Sequence, residues 1–275
     1  MLEEPRSGRL AAWGNALIAG LVPPDDAAQK VTGRDGGHRL AGLPDEEEPE
    51  ALVTLTWGLG RLRALGVRGL RIALPVAGHP LGLTGPAGFN ELALDAGEAV
   101  LTVGGPPLGL VPEVTEIGSG DERSTAVVWR CLPVREAPPA DVPSLSEAER
   151  ELNEALRDAT EVLTQLDVAG SGPGAQAALD AYRTRRTRSV LAPGYPPRAV
   201  RVLELAQRVG ALVDIAAGRH SGGEGMEHGG AVSASQIAAR AGALRPLERT
   251  ARRAQVAAYN AFVDQPDTPE KAWRR

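Results

Sequence analysis

Histidine and glutamate come together once in this sequence, in the Gly-rich stretch 218–230 (GRHSGGEGMEHGG), which carries His220, Glu224, Glu227 and His228. Imidazole and carboxylate together can hold a hard or borderline metal and leave one position open for water. Such a site needs fixed ligands. Glycines at 222, 223, 225, 229 and 230 make ordering this segment entropically costly. A solvated connection between two helices is the competing expectation.

A second polar set lies in residues 77–90 (AGHPLGLTGPAGFN), where His79, Thr84 and Asn90 follow a strand-like run and lead into a helix start. Backbone amides at a helix start bind anions, and open α/β sheets seat ligands beyond the C-terminal ends of their strands. Those three side chains would supply the polar contacts to a small anion. The alternative is a tight turn whose glycines and prolines only set backbone angles.

Arginines cluster at Arg183, Arg185, Arg186 and Arg188, and again at Arg240, Arg245, Arg249, Arg252 and Arg253. Guanidinium groups on a helix face can neutralise phosphates, so nucleic acid is a candidate partner. Residues 235–249 (SQIAARAGALRPLER) faintly resemble a helix-turn-helix, with Ile237, Ala238 and Gly242 near the expected apolar and turn positions. Glu248 falls where that motif buries a residue, and Pro246 intrudes. Solvated helix faces paired with the acidic N-terminal part are the simpler expectation.

The remaining candidates read as inert. Cys131 follows Trp129 by two residues in a strand-like run, so both face one side and no activating base is near. His38 sits in a Gly-rich turn without a motif. No phosphate-binding loop surrounds either lysine (Lys30, Lys271), and no Gly-x-Ser-x-Gly, Gly-x-Gly-x-x-Gly or His-Glu-x-x-His pattern occurs. These residues call for no cofactor, and catalysis is the less favoured reading.

The elements that would position these groups fit a chain of 275 residues with 24% charged and 43% hydrophobic content, values of a globular protein. One cysteine excludes an internal disulfide, and four Trp, three Tyr and two Phe leave the core to Leu, Val, Ile and Ala. Net charge is +7 over residues 171–275 and −12 over 1–170, within the overall −5. The first apolar stretch, Leu10 to Val22, is short and interrupted by Asn15, and its preceding segment is not basic. The expected location is the cytoplasm, with no membrane partner.

Helical spacing runs through Leu10, Trp13, Leu17 and Leu21, with Ser7 as the expected cap. A short helix follows from Asp25 to Val31. Residues around Gly36 and Gly37 read as a loop, and Leu52, Leu55, Leu59, Leu62 and Leu65 form a helical stripe ended by Gly66. Strands are expected at Val67–Val76, Glu98–Val103, Val114–Ile117 and Thr125–Val134, with a short helix from about Pro86 between the first two. After the Pro-rich segment 137–143, Ser144 with Glu147 and Ser146 with Glu149 form overlapping capping boxes. They open a helix with a seam at Leu145, Ala148, Leu152, Ala155, Ala159, Val162 and Leu166. Further helices are expected at Gly174–Val190, at Pro197–Ala217, and from Ser233 toward Phe262, the last kinked or broken at Pro246.

The phrases AAWGNALIAG (11–20), GLRIALPVAGHPLGLTGPAGFN (69–90), APGYPPRAVRVLELA (192–206) and GGAVSASQIAARAGALRPLERTARRA (229–254) together resemble a group of uncharacterised actinobacterial proteins. That resemblance spans most of the chain and transfers no functional residues. The expected fold is α+β: a mixed part over 1–140, an antiparallel helical bundle over 141–264 and a tail from 265 to 275. A non-catalytic interaction or scaffold protein, self-associating through its helices, is the expected function. Small-anion binding or catalysis at loop 77–90, and nucleic-acid binding through the arginine-bearing helices, are the alternatives.

Overall fold

The computed structural model describes residues 4–44, 51–118, 123–165, 191–216 and 234–264. It is a mixed α/β protein with a six-stranded sheet. Its residues cluster into two compact units. One gathers the described residues of 5–44, 51–118, 123–142, 191–196 and 259–264; the other gathers residues 143–165, 197–216 and 234–258.

The first unit runs α1 (Arg6–Ile18), α2 (Pro24–Thr32), β1 (Gly37–Ala41), β2 (Val53–Thr54), α3 (Leu55–Ala64), β3 (Gly69–Ala73), α4 (Ala87–Ala96), β4 (Ala99–Val103), β5 (Leu108–Ile117) and β6 (Ser124–Pro133). The sheet order is β2-β1-β6-β5-β4-β3. Every neighbouring pair is antiparallel except β1 and β6.

The expected strands fall on β3, where apolar residues alternate, on β4 and β6, and on the second half of β5, which begins earlier, at Leu108. Two strands escape that signal. β1 occupies residues read as a Gly-rich loop, because its backbone is held in register by β6 from Gly37↔Ala126 to Ala41↔Arg130. β2 takes the start of the expected leucine helix: Thr54 Oγ1 accepts the Trp57 N–H at 3.3 Å and caps α3, leaving Leu52 outside it and half-exposed. The Ser7 cap is also corrected. Helix α1 starts two residues earlier, behind Pro5, with no side-chain cap, and Ser7 is buried in its first turn.

Helix α1 buries Leu10, Ala11 and Leu17, and it packs on β3 through Gly14, where an added Cβ would lie 2.7 Å from Leu70 Cδ1. On the other face of the sheet Phe89 and Ala93 of α4 cover Ala73, Ala99, Leu101 and Val111. Burying side chains of this size stabilises by about 1.5–3 kcal/mol each for the larger ones.

Strand β3 is the last strand of the sheet, and its open side is buried. A buried strand edge leaves peptide groups without water, so they need partners. Two buried asparagines supply them. Asn15 of α1 accepts the Leu70 N–H at 2.6 Å and donates Nδ2–H to the Leu70 carbonyl at 3.0 Å. Asn260 does the same at Ile72, accepting at 2.8 Å and donating at 3.2 Å. A primary amide carries one acceptor and N–H donors side by side, so each asparagine mimics one peptide group of a neighbouring strand.

The second unit contains α5 (Leu145–Gln165), α6 (Pro197–Ala216) and α7 (Ala234–Asn260), the last two residues of α7 counting with the sheet. Of the two overlapping capping boxes, the first forms. Ser144 Oγ accepts the Glu147 N–H at 3.3 Å, and Glu147 Oε2 accepts the Ser144 N–H at 2.9 Å. Ala148 and Leu152 of the seam are buried. Arg198 on α6 reaches Glu149 on α5 at 2.6 Å.

Helix α7 runs unbroken through Pro246, so the expected break is absent. Thr250 Oγ1 donates to the Pro246 carbonyl at 2.9 Å within the continuing helix. The expected helix at Gly174–Val190 and the tail from 265 lie outside the described residues.

Candidate functional site

Partly buried charge in the sheet unit converges on Asp35, three residues before His38. Arg6 forks onto its carboxylate at 3.1 and 3.2 Å, Arg9 pairs with the same group, and His38 Nε2 lies 2.9 Å from Oδ2. Burial by itself raises the Asp35 pKa. Hydrogen bonds from Arg6 and His38 and the charges of Arg6 and Arg9 outweigh it and hold the carboxyl below its usual range.

The other His38 nitrogen, Nδ1, accepts the Trp129 indole N–H at 3.1 Å. An indole can only donate, so Nδ1 carries the lone pair and Nε2 carries the proton given to Asp35. A proton added at Nδ1 would oppose one N–H to another. Burial pushes the His38 pKa down and prevails over the attraction of Asp35, with the arginine charges adding to the fall. His38 therefore sits in a strand rather than a turn, and it centres a structural chain from buried indole through imidazole to a part-buried carboxylate and its guanidinium partners. Both ring nitrogens are committed inside the protein and the side chain is closed to solvent, so neither is free to take a substrate proton.

Nearby, burial raises the Glu98 pKa while its Oε2 accepts the Ser7 backbone N–H at 2.7 Å. Cys131 is buried beside this core and its thiol is pushed up to about 12 by burial, as expected of a packing cysteine.

Loop 77–90 divides its three polar residues. His79 closes a tight turn with Val76, the two exchanging backbone hydrogen bonds at 3.0 and 2.8 Å across Gly78, whose φ is +77°. Its Nδ1 lies 3.9 Å from Asp141 Oδ2. Asn90 sits in the first turn of α4, with a buried Oδ1 that has no hydrogen-bond partner. Thr84 alone lines a cleft of about 480 Å3, with Arg71, Leu101, Val103, Arg135 and Glu136 among its walls. Arg71 is tied to Asp264 at 2.6 Å. Since β3 is an antiparallel edge strand, loop 77–90 does not follow a parallel strand at a switch in strand order, and that argument for ligand binding does not apply here.

His220, Glu224, Glu227 and His228, and Arg183, Arg185, Arg186 and Arg188, lie outside the described residues. Among the described residues no group of three or more His, Cys, Asp or Glu side chains is placed to hold a metal. Arg249 is exposed on α7, Arg252 is half-buried, and Arg253 pairs with Glu151 at 3.4 Å. The helix continues across Gly242, so no helix-turn-helix turn exists there. No described helix is long and apolar enough to cross a membrane.

Sequence reading passed over Arg6, Arg9 and Asp35. The usable signals were two arginines three apart on one helical face and an aspartate three residues before a histidine.

Two family models cover most of the chain: the Rv1486c-like protein N-terminal domain matches residues 7–143, and the corresponding C-terminal domain matches residues 146–256. Uncharacterized protein Rv1486c of Mycobacterium tuberculosis (strain H37Rv) is 31% identical over 92% of this chain and 96% of its own length. Uncharacterized protein ML1804 of Mycobacterium leprae is 30% identical, and uncharacterized protein MAV321 of Mycobacterium avium 28%, over the same shares. No solved structure matches the chain.

Proposed function

Since the chain belongs to the Rv1486c-like family, whose mycobacterial relatives are themselves named uncharacterised proteins, we propose a function from its own residues: a non-catalytic interaction protein. One observation carries this reading. His38, the most deeply buried titratable base described, has both ring nitrogens engaged within the protein, and the acid it touches is neutralised by two arginines. Catalytic groups keep one face toward a substrate; these are spent on architecture.

In this reading the helical unit is an antiparallel bundle, the chain self-associates through its Leu- and Ala-rich helices, and the protein works in the cytoplasm. A second reading, small-anion binding, moves from loop 77–90 to the cleft that holds Thr84 with Arg71 and Arg135. Nucleic-acid binding through the arginine-bearing C-terminal helices, with Arg249, Arg252 and Arg253, ranks third.

Native mass spectrometry of the purified protein with a denatured control tests the proposal. The expected result is a dimer without adducts. A monomer carrying a stoichiometric mass that is lost on denaturation would refute it in favour of the cleft.

A further inference from the structure

Strand β5 is paired along its whole length on one side only. It matches β6 residue by residue from Leu108↔Pro133 to Ile117↔Ser124, whereas β4 reaches it only at Val100↔Leu110 and Leu101↔Gly109. Beyond Leu110 no described strand lies on its other side. From Glu113 to Ile117 every side chain is exposed, Val114 by 48% and Ile117 by 56%.

The direction of the free backbone groups follows from two prolines. Opposed residues in an antiparallel pair alternate between hydrogen-bonded and non-hydrogen-bonded. Proline has no N–H, and Pro112↔Trp129 and Leu108↔Pro133 fall in the same class, so that class is the non-bonded one. Odd-numbered β5 residues therefore bond to β6. Even-numbered ones turn their N–H and C=O away from it, as the pairing of Leu110 with β4 and the 2.7 Å bond from Gly36 N–H to the outward carbonyl of Thr125 on β6 require. Val114 and Glu116 thus present two N–H and two C=O groups outward, with the Pro112 carbonyl beside them.

We propose that this edge of β5 takes an extended basic segment of a partner protein by strand addition, an inference that rests on the interaction-protein reading. Charge and pleat specify the segment. Glu113 and Glu116 are three apart and lie on opposite faces of the strand. An incoming antiparallel strand therefore needs basic residues three apart, with β-branched residues between them opposite Val114 and Thr115. Glu113 also pairs with Arg130 at 2.9 Å, which makes Glu116 the stronger charge. A second copy of the same edge would bring two more glutamates and is the poorer occupant.

The test uses the full chain and a labelled peptide carrying Lys-Val-Thr-Lys between threonines, followed by fluorescence anisotropy. The intact protein should bind it, less tightly as salt rises. Val114→Pro removes an outward N–H while sparing the ladder, as Pro112 already does, so the fold should persist and affinity should fall about tenfold, the value of one lost hydrogen bond. Glu116→Lys should weaken binding without touching the backbone, and it serves if the proline variant fails to fold. Thr115→Pro removes an inward N–H and should lower the melting temperature where Val114→Pro does not. No binding at millimolar peptide, or equal binding by both binding-site variants, overturns the proposal. A dimer retained by Val114→Pro alongside absent peptide binding would leave the interaction reading standing and remove only this edge from it.

Discussion

Replacing Asn260 by leucine, which keeps the branched outline of the side chain without its polar atoms, should unfold the sheet edge at one point. The side chain is fully buried and holds both the N–H and the C=O of Ile72. Leucine leaves those two peptide groups buried and unpaired, at about 1–3 kcal/mol each, so the sheet should lose about 2–6 kcal/mol. That is a large part of a total stability near 5–15 kcal/mol. Asn260→Asp separates hydrogen bonding from packing. A carboxylate still accepts from Ile72 N–H but sets a second acceptor, now charged, against the Ile72 carbonyl. Protonation restores a donor, so this variant's deficit relative to the unsubstituted protein should shrink as pH falls while the leucine variant's does not. Urea titrations at pH 5 and 8, with hydrogen exchange read at the Leu70 and Ile72 amides, measure both effects. The same stability for all three proteins at pH 8, with the Ile72 amide still protected, would refute the account of asparagines as substitute peptide groups.

The His38 chain predicts a pH dependence. Its pKa is lowered in the folded state, so its contribution is full above the ordinary histidine value of about 6.5 and is lost as pH falls below it; Asp35, also lowered, continues the loss below about pH 4. Melting curves should fall from pH 7 to 5, and His38→Gln should flatten that slope. Gly8 faces the Tyr259 ring, with an added Cβ only 2.6 Å from Cζ, so Gly8→Val should destabilise by about 1–3 kcal/mol in denaturant unfolding. Cys131 should resist thiol reagents at pH 8 in the native protein and react at once in denaturant, a contrast followed by reagent absorbance.

Much of the architecture was legible because it is local. Leu70, Ile72, Leu74 and Val76 alternate plainly, and Ser144 with Glu147 spells a capping box that forms as written. The features that were hidden depend on partners far along the chain. Gly37 and His38 carry turn-like residue types, and only the parallel ladder with β6 makes them a strand. Asn15 was visible as a polar break in an apolar helix, but its meaning required Leu70, 55 residues away. Pro246 shows the converse: a local rule for breaking helices yields to the continuing turns on either side of it. At the candidate sites, spacing grouped His79, Thr84 and Asn90, while the backbone sends them to a turn, a cleft and a helix start.

The distance between Ile72 and Asn260 has a consequence for synthesis. During translation β3 and its sheet neighbours leave the ribosome long before residue 260, 188 positions downstream of Ile72. At about 5–20 residues per second, that interval lasts roughly 10–40 s. Until it ends, the N–H and C=O of Ile72 on the sheet's last strand have no lasting partner and Gly8 has no ring to pack on. The nascent sheet is thus a provisional structure, closed only when the end of α7 arrives. A product cut short before residue 260 would carry every strand of the sheet and still present an unfinished edge to whatever extended chain lay nearby.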